Sequence, residues 1–302
     1  MGVIVSGVKR IPAAIFLMLY LSYLLPVARA GGSDLEKRLN WQFEHKVLTL
    51  RRFYGGDHLR FLSDGKLEGD AAIGPWTLDG QIEVNDIHVK HDVVEIKGRR
   101  VHIVFDSKSR TNQVPTPLDQ MQAASSLSRK ELEDLEKDLG KLKATVEIEL
   151  PSNATEADIS SAIHAVFLMP GESMIDAVPE YWRKYFAKLE GKPASAPVST
   201  FKTYTVSGTP GPGRVSPPKM TYDPEPEYSD WGRKAKYQGT VVFNLVVGED
   251  GTPHDIQVAF PLGIGLDEKA VSAISEWKFE PATKDGQPVP VAISVEVTFR
   301  LY

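Results

Sequence analysis

Seven histidines and no cysteine limit the chemistry this chain can hold. Without cysteine there is no disulfide, no thiolate nucleophile and no cysteine zinc site. His88, His91 and His102 lie in one strand-rich stretch, and a metal would need three or four ligands converging there. His88 alternates with Ile87 and Val89, and His102 with Val101 and Ile103. That spacing predicts both rings on the solvent face of a strand. Asp57-His58 beside Gly55-Gly56 offers a base but no nucleophile. Residues 208–213 are glycine-rich, yet they carry proline and lack the Lys-Ser/Thr ending of a phosphate loop. Asn153-Ala154-Thr155 matches a glycosylation sequon, and a helix cap explains Thr155 equally well. Neither Gly-x-Ser-x-Gly nor His-Glu-x-x-His occurs. No residue takes a catalytic role on this reading, no metal or cofactor is implied, and the chain is expected not to be an enzyme.

The elements that would have to position any site come next. The chain has 302 residues, 42% of them hydrophobic and 25% charged, which suits globular domains. Its net charge is −5, and beyond the first 30 residues 32 basic and 40 acidic residues leave −8. An acidic body without a long basic run argues against nucleic acid as a partner. Residues 1–30 have the form of a secretory signal: Lys9 and Arg10, an apolar run over 11–27, then Ala28-Arg29-Ala30 before Gly31. Cleavage there predicts a periplasmic protein. The alternative is an uncleaved inner-membrane anchor facing the periplasm, because about 17 apolar residues sit at the lower limit for a spanning helix. The chain would touch a membrane only in that case.

The expected domain organisation is a leader at 1–30, an N-terminal domain at 31–191, a Pro/Gly-rich linker at 192–225 and a small C-terminal domain at 226–302. The N-terminal domain starts with strands: Val47, Leu48 and Leu50, then Leu59 and Phe61. Hairpin turns are expected at Ser63-Asp64-Gly65 and Asp79-Gly80. Ile82 and Val84 alternate, then Ile87 and Val89, and the extra residue between the pairs predicts a bulge. Helices are expected after Ser128, whose capping box is Ser128-Arg129-Lys130-Glu131, over 155–168, and over 173–189. The stretch 192–226 holds eight prolines, including Pro217-Pro218, and has no apolar period. It is expected to act as a spacer, partly polyproline-like, reaching on the order of 100 Å at about 3.1 Å per residue.

The C-terminal domain has the clearest pattern. A short helix is expected over 230–236, ended by Gly239. Val241, Phe243, Leu245 and Val247 share one strand face, and Ile256, Val258 and Phe260 another. Leu266, Ala270, Ile274 and Trp277 form a helical stripe, with Asp267 and Glu268 in the first turn, where the dipole favours negative charge. Val289, Val291, Ile293, Val295, Val297, Phe299 and Leu301 then alternate without a miss. This is a long strand with one face on a core. The fold class is therefore α+β, closing on a helix–strand–strand–helix–strand unit. Such a small sheet has exposed edges, and a long edge strand is a template for an added peptide. The same pattern leaves two other uses open: an edge that is simply protected, or one that pairs with a second copy.

Several short motifs over residues 226–302 stand together in register. They are Tyr237-Gln238-Gly239-Thr240-Val241-Val242, Gly248-Glu249-Asp250-Gly251, Leu266-Asp267-Glu268-Lys269-Ala270, Trp277-Lys278-Phe279-Glu280-Pro281-Ala282, Asp285-Gly286-Gln287-Pro288-Val289 and Phe299-Arg300-Leu301. In order and spacing they resemble the TonB C-terminal domain. The resemblance implies a Gram-negative envelope protein, a role in transmembrane transport, and capture of the N-terminal box peptide of an outer-membrane transporter as an added strand. The partner-binding residues it points to are Val291, Ile293, Val295, Val297 and Phe299. Gln238, Gly239, Gly251, Leu266, Ala270, Trp277, Phe279, Pro281 and Gly286 would be structural. The chain departs from the family in opening with Tyr228-Ser229 and in carrying Gly232 and Arg233 on the first helix, which predicts a looser helix start. A full energy transducer has a Ser-x-x-x-His motif in its membrane helix, whereas here Ser22 is followed four residues later by Pro26. The alternative to strand addition is a structural or assembly module whose sheet edge pairs with another copy, as a homodimer, or packs on its own N-terminal domain.

Overall fold

The structure is a computed structural model that describes residues 32–107, 114–120, 127–193, 203–206 and 213–301. The expected leader lies outside the described residues. The first element, α1 (Gly32–Phe43), was not foreseen: Leu35, Leu39 and Phe43, four apart, bury one face of it. Then come β1 (Val47–Leu50), β2 (His58–Phe61), β3 (Leu67–Glu68), α2 (Trp76–Asp79), β4 (Gln81–Lys90), β5 (Val93–Arg100), β6 (Ile103–Val104) and β7 (Thr116–Pro117). After them come α3 (Arg129–Leu139), β8 (Lys143–Glu149), α4 (Glu156–Val166), β9 (Phe167–Leu168) and α5 (Glu180–Leu189).

Seven of these strands form one sheet in the order β3-β2-β8-β5-β4-β1-β9, antiparallel except for β2 beside β8. The predicted bulge is present, as a register shift between Val84 and Asp86. Just past it, the Asn40 side chain on α1 accepts from Ile87 N at 2.8 Å and donates to Ile87 O at 2.7 Å. Those bonds satisfy both backbone groups of Ile87, which is buried. Both helix starts carry capping boxes, Ser128 with Glu131 and Thr155 with Asp158. Thr155 is thus a cap.

Several expectations are corrected. Asp79-Gly80 is the end of α2 and not a hairpin turn, since Gly80 N donates to Trp76 O. The helix expected over 173–189 begins at Glu180 behind Pro179, a residue that fits only at a helix start. The one expected over 155–168 ends at Val166, where Phe167 turns extended and joins the sheet. His102 does not face solvent. It is 4% exposed and packs edge-on against Trp231, with ring centroids 4.3 Å apart. Burial, then the charges of Arg100 and Lys234, push its pKa down to about 3, so the ring is neutral.

The C-terminal part contains β10 (Lys219–Tyr222), α6 (Asp230–Lys234), β11 (Gly239–Val247), β12 (Pro253–Phe260), α7 (Leu266–Glu276), β13 (Lys278–Glu280), β14 (Thr283–Lys284), β15 (Gln287–Pro288) and β16 (Val291–Phe299). The α+β class and the helix–strand–strand–helix–strand order are as expected. The expected final strand is shorter at its start, because Gln287 and Pro288 pair back on β14 as a small hairpin. The helix stop also differs: Lys236 takes the positive φ after α6, and Gly239 starts β11, where a Cβ would press on Leu262 and Ser107. The start of α6 is held firmly. Ser229 Oγ accepts from Gly232 N at 2.9 Å and donates to Ile264 O at 2.6 Å.

The two parts share one buried core. Their backbones meet at Gly263: Ile264 N donates to Ile103 O at 2.8 Å and Phe105 N to Leu262 O at 3.0 Å. A Cβ on Gly263 would fall on Ile103 O and lie 2.7 Å from Val104 Cα, and its φ is +89°. Gly286, at φ +81°, has nothing within 4 Å of that position. Gly286→Ala is therefore expected to cost about 1 kcal/mol from backbone strain alone. Gly263→Ala adds a clash with backbone and is expected to cost about 3 kcal/mol. Denaturant unfolding checks the difference, and equal losses would contradict the close approach.

Candidate functional site: the edge of the last strand

The three-stranded sheet runs in the order β12-β11-β16. β16 pairs with β11 over nine consecutive residues, from Val291 opposite Val247 to Phe299 opposite Gly239, without a register shift. The β11–β12 pairing shifts twice. An unbroken strand of this length presents a row of backbone donors and acceptors on its outer side. Among the described residues, only Tyr204 pairs with that side, in a single bridge to Val291.

The five candidate residues share one face of β16. Val291, Val297 and Phe299 are buried, whereas Ile293 and Val295 are half-buried, and Ala292, Ser294, Glu296 and Thr298 face solvent. Burial thus falls off in the middle of the strand, where apolar surface stays open to an added neighbour. The C-terminal end is anchored. Phe299 meets the Tyr228 ring with centroids 5.3 Å apart, and Gln238 Oε1 accepts from Leu301 N at 3.1 Å.

The other candidate positions lie elsewhere in the C-terminal part and serve its local structure. Leu266 and Ala270 are fully buried on α7, and Trp277 ends that helix with Nε1 donating to Pro224 O at 3.4 Å. Gly251, at φ +74°, lets its carbonyl accept from Phe279 N at 2.9 Å, and a Cβ there would fall on Phe279 O and touch Pro281. Asp285 and Gly286, both at positive φ, turn the β14–β15 hairpin.

The opposite edge of the sheet is treated differently. α5 lies along β12 with Cα atoms within 8 Å, and Lys188 Nζ stands 5.7 Å from the Phe260 ring centroid. α5 is held there by an aromatic cluster: Trp182 stands 5.4 Å from Trp76, and Phe186 5.2 Å from Trp76. Trp182 Nε1 donates to Glu268 Oε1 at 3.0 Å, while the buried Glu268 Oε2 has no hydrogen-bond partner among the described residues. Asp267 beside it accepts from Leu262 N at 2.9 Å and Gly263 N at 2.6 Å. Burial pushes both carboxyls above the ordinary range, and for Glu268 the neighbouring Asp267 charge adds to the effect. Ion pairs at 2.7 Å, Lys234 to Asp138 and Lys236 to Glu131, rim this contact.

Sequence reasoning missed this contact. Glu268 was expected to serve the helix dipole, and nothing local marks it as the acceptor for a tryptophan 86 residues away. Among the described residues, no group of three or more His, Cys, Asp or Glu could hold a metal, and no helix is long and apolar enough to cross a membrane.

Residues 224–301 match the family model described as Gram-negative bacterial TonB protein C-terminal. The match coincides with α6 through β16. Protein tonB2 of Pseudomonas aeruginosa is 33% identical over 81 residues, covering 26% of this chain and 30% of the relative. Protein TonB of Vibrio cholerae is 33% identical over 78 residues, covering 26% and 32%. The chain thus spans under a third of the length of these TonB relatives. A solution NMR structure of the Pseudomonas aeruginosa TonB C-terminal domain aligns with 23% identity and a TM-score of 0.24, over 28% of this chain and 86% of that one.

The raised carboxyl pKa values have a signed consequence. A buried acid whose folded pKa lies above its unfolded value of 4.5 holds its proton in the folded state after the unfolded chain has lost it. Stability is then complete below that value and falls as pH rises through neutrality. Glu268→Gln keeps an acceptor for Trp182 Nε1 and removes this ionisation. Its unfolding free energy is expected to decline less between pH 5 and pH 8, by about 1 kcal/mol or more. Parallel profiles for the two proteins would contradict the assignment.

Proposed function

We propose that this is an envelope protein whose C-terminal domain binds an extended peptide of an outer-membrane transporter by adding it to β16, in support of transport across the outer membrane. The carrying observation is the asymmetry of the two sheet edges. β12 lies against α5, whereas β16 presents nine residues in unbroken register with half-buried Ile293 and Val295 at its centre. The match of residues 224–301 to the TonB C-terminal model supports the identity of the partner. Backbone hydrogen bonds would supply affinity, and the alternating apolar face specificity. The protein lies in the periplasm on this reading, free if residues 1–30 are cleaved and anchored if 11–27 are retained. Force transfer from the inner membrane belongs only to the anchored form. No side chain is given a catalytic role.

One observation favours a second reading, in which the domain serves as an assembly module. Its α7 and the loop before it pack into the N-terminal part through Glu268, Gly263 and Ile264. On that reading β16 pairs with a second copy.

Titration of the full chain with a synthetic transporter box peptide separates the two. Strand addition predicts saturable 1:1 binding that weakens about fivefold in Val295→Ala, which trims the apolar surface the peptide covers. Absence of peptide binding, with a concentration-dependent dimer in sedimentation, would overturn it in favour of the assembly module.

A further inference from the structure

The outer side of β16 is not wholly vacant. Tyr204 forms a parallel bridge with Val291, and its amide donates to Pro290 O at 2.9 Å. Thr203 and Thr205 are exposed while Tyr204 and Val206 are half-buried against the core. That alternation is what a one-sided strand shows. The Tyr204 ring lies 5.2 Å from Lys284 Nζ, a cation–π distance.

We infer that residues 203–206 are a built-in occupant of the docking edge, seated on β16 in strand register until a partner peptide displaces them. This rests on the reading of β16 as the docking edge. The chain just downstream keeps the occupant close. Gly213 N donates to Asp285 Oδ1 at 2.8 Å, and Ser216 N to Thr283 O at 2.8 Å. Val215 is buried and bridges Lys284. Residues 213–216 therefore line the same hairpin whose Lys284 faces Tyr204. A short tether of this kind holds its end at an effective concentration of order 1 mM. The seat itself is small, one bridge at the first residue of β16, so it delays a partner without excluding one. The displacing peptide would run parallel to β16 and place an aromatic or apolar side chain over Lys284.

The test uses a labelled synthetic peptide copying residues 202–207, Lys-Thr-Tyr-Thr-Val-Ser, titrated onto the full chain and onto Tyr204→Pro. Proline at 204 removes the donor to Pro290 O. The variant is expected to bind the probe about tenfold more tightly than wild type, the gain from releasing a tether of about 1 mM at a site of roughly 100 μM affinity. In wild type the Tyr204 amide is expected to exchange slowly with solvent and to be freed by excess probe. Equal affinity for the two chains, absence of binding by both included, would overturn the inference. If the variant fails to fold, the wild-type amide decides alone: an unprotected rate without probe overturns the inference, and protection lost on adding probe supports it. Binding of this probe without binding of a transporter peptide overturns the proposed function and leaves the built-in occupant standing. The reverse result removes the occupant alone.

Discussion

A three-stranded sheet has two edges, and every backbone donor and acceptor along them must find a partner or face water. This constraint organises the C-terminal part of the molecule. One edge, β12, lies against α5 of the N-terminal part. The other, β16, runs nine residues and has, among the described residues, one strand neighbour and a single bridge to Tyr204. Its middle residues, Ile293 and Val295, keep apolar surface half open. Among the described residues a helix covers one edge of the sheet, and the other edge is the one most regular in register.

The N-terminal part determines which edge stays open. Trp76, Trp182 and Phe186 bring α5 to β12, and Glu268 ties α7 to Trp182. The approach at Gly263 lets the two backbones exchange hydrogen bonds. The same contact buries two adjacent carboxyls, a costly arrangement that persists because hydrogen bonds to Leu262, Gly263 and Trp182 offset part of the desolvation. It also removes His102 from solvent by packing it edge-on against Trp231. The C-terminal domain therefore packs on the N-terminal part through a shared core.

What could be read from the sequence was what short-range physics controls. The alternation from Val291 to Phe299 is a backbone period, and it placed β16 and its buried face. Ser128 and Thr155 bond within their own first turns, so those helix starts were readable, as was the bulge after Val84. Contacts across long separations were not. His102 looked solvent-facing because its neighbours alternate, but Trp231, 129 residues later, closes over it. Asp79-Gly80 carries a hairpin signature, yet Pro75 starts a helical turn that Gly80 ends. Tyr204 stands in a proline-rich stretch that was read as a spacer without apolar period, so its bridge to Val291 was not foreseen. The candidate site was legible as a strand, but the covering of the sheet's other edge, β12, by α5 was not, because the two are far apart in sequence.

Hydrogen–deuterium exchange on the full chain, with and without a saturating transporter box peptide, tests strand addition at β16 most directly. The account predicts that slowing is concentrated in amides of β16 between Ile293 and Phe299, with β12 unchanged. Slowing on β12 or on the N-terminal sheet, with β16 unaffected, would contradict it.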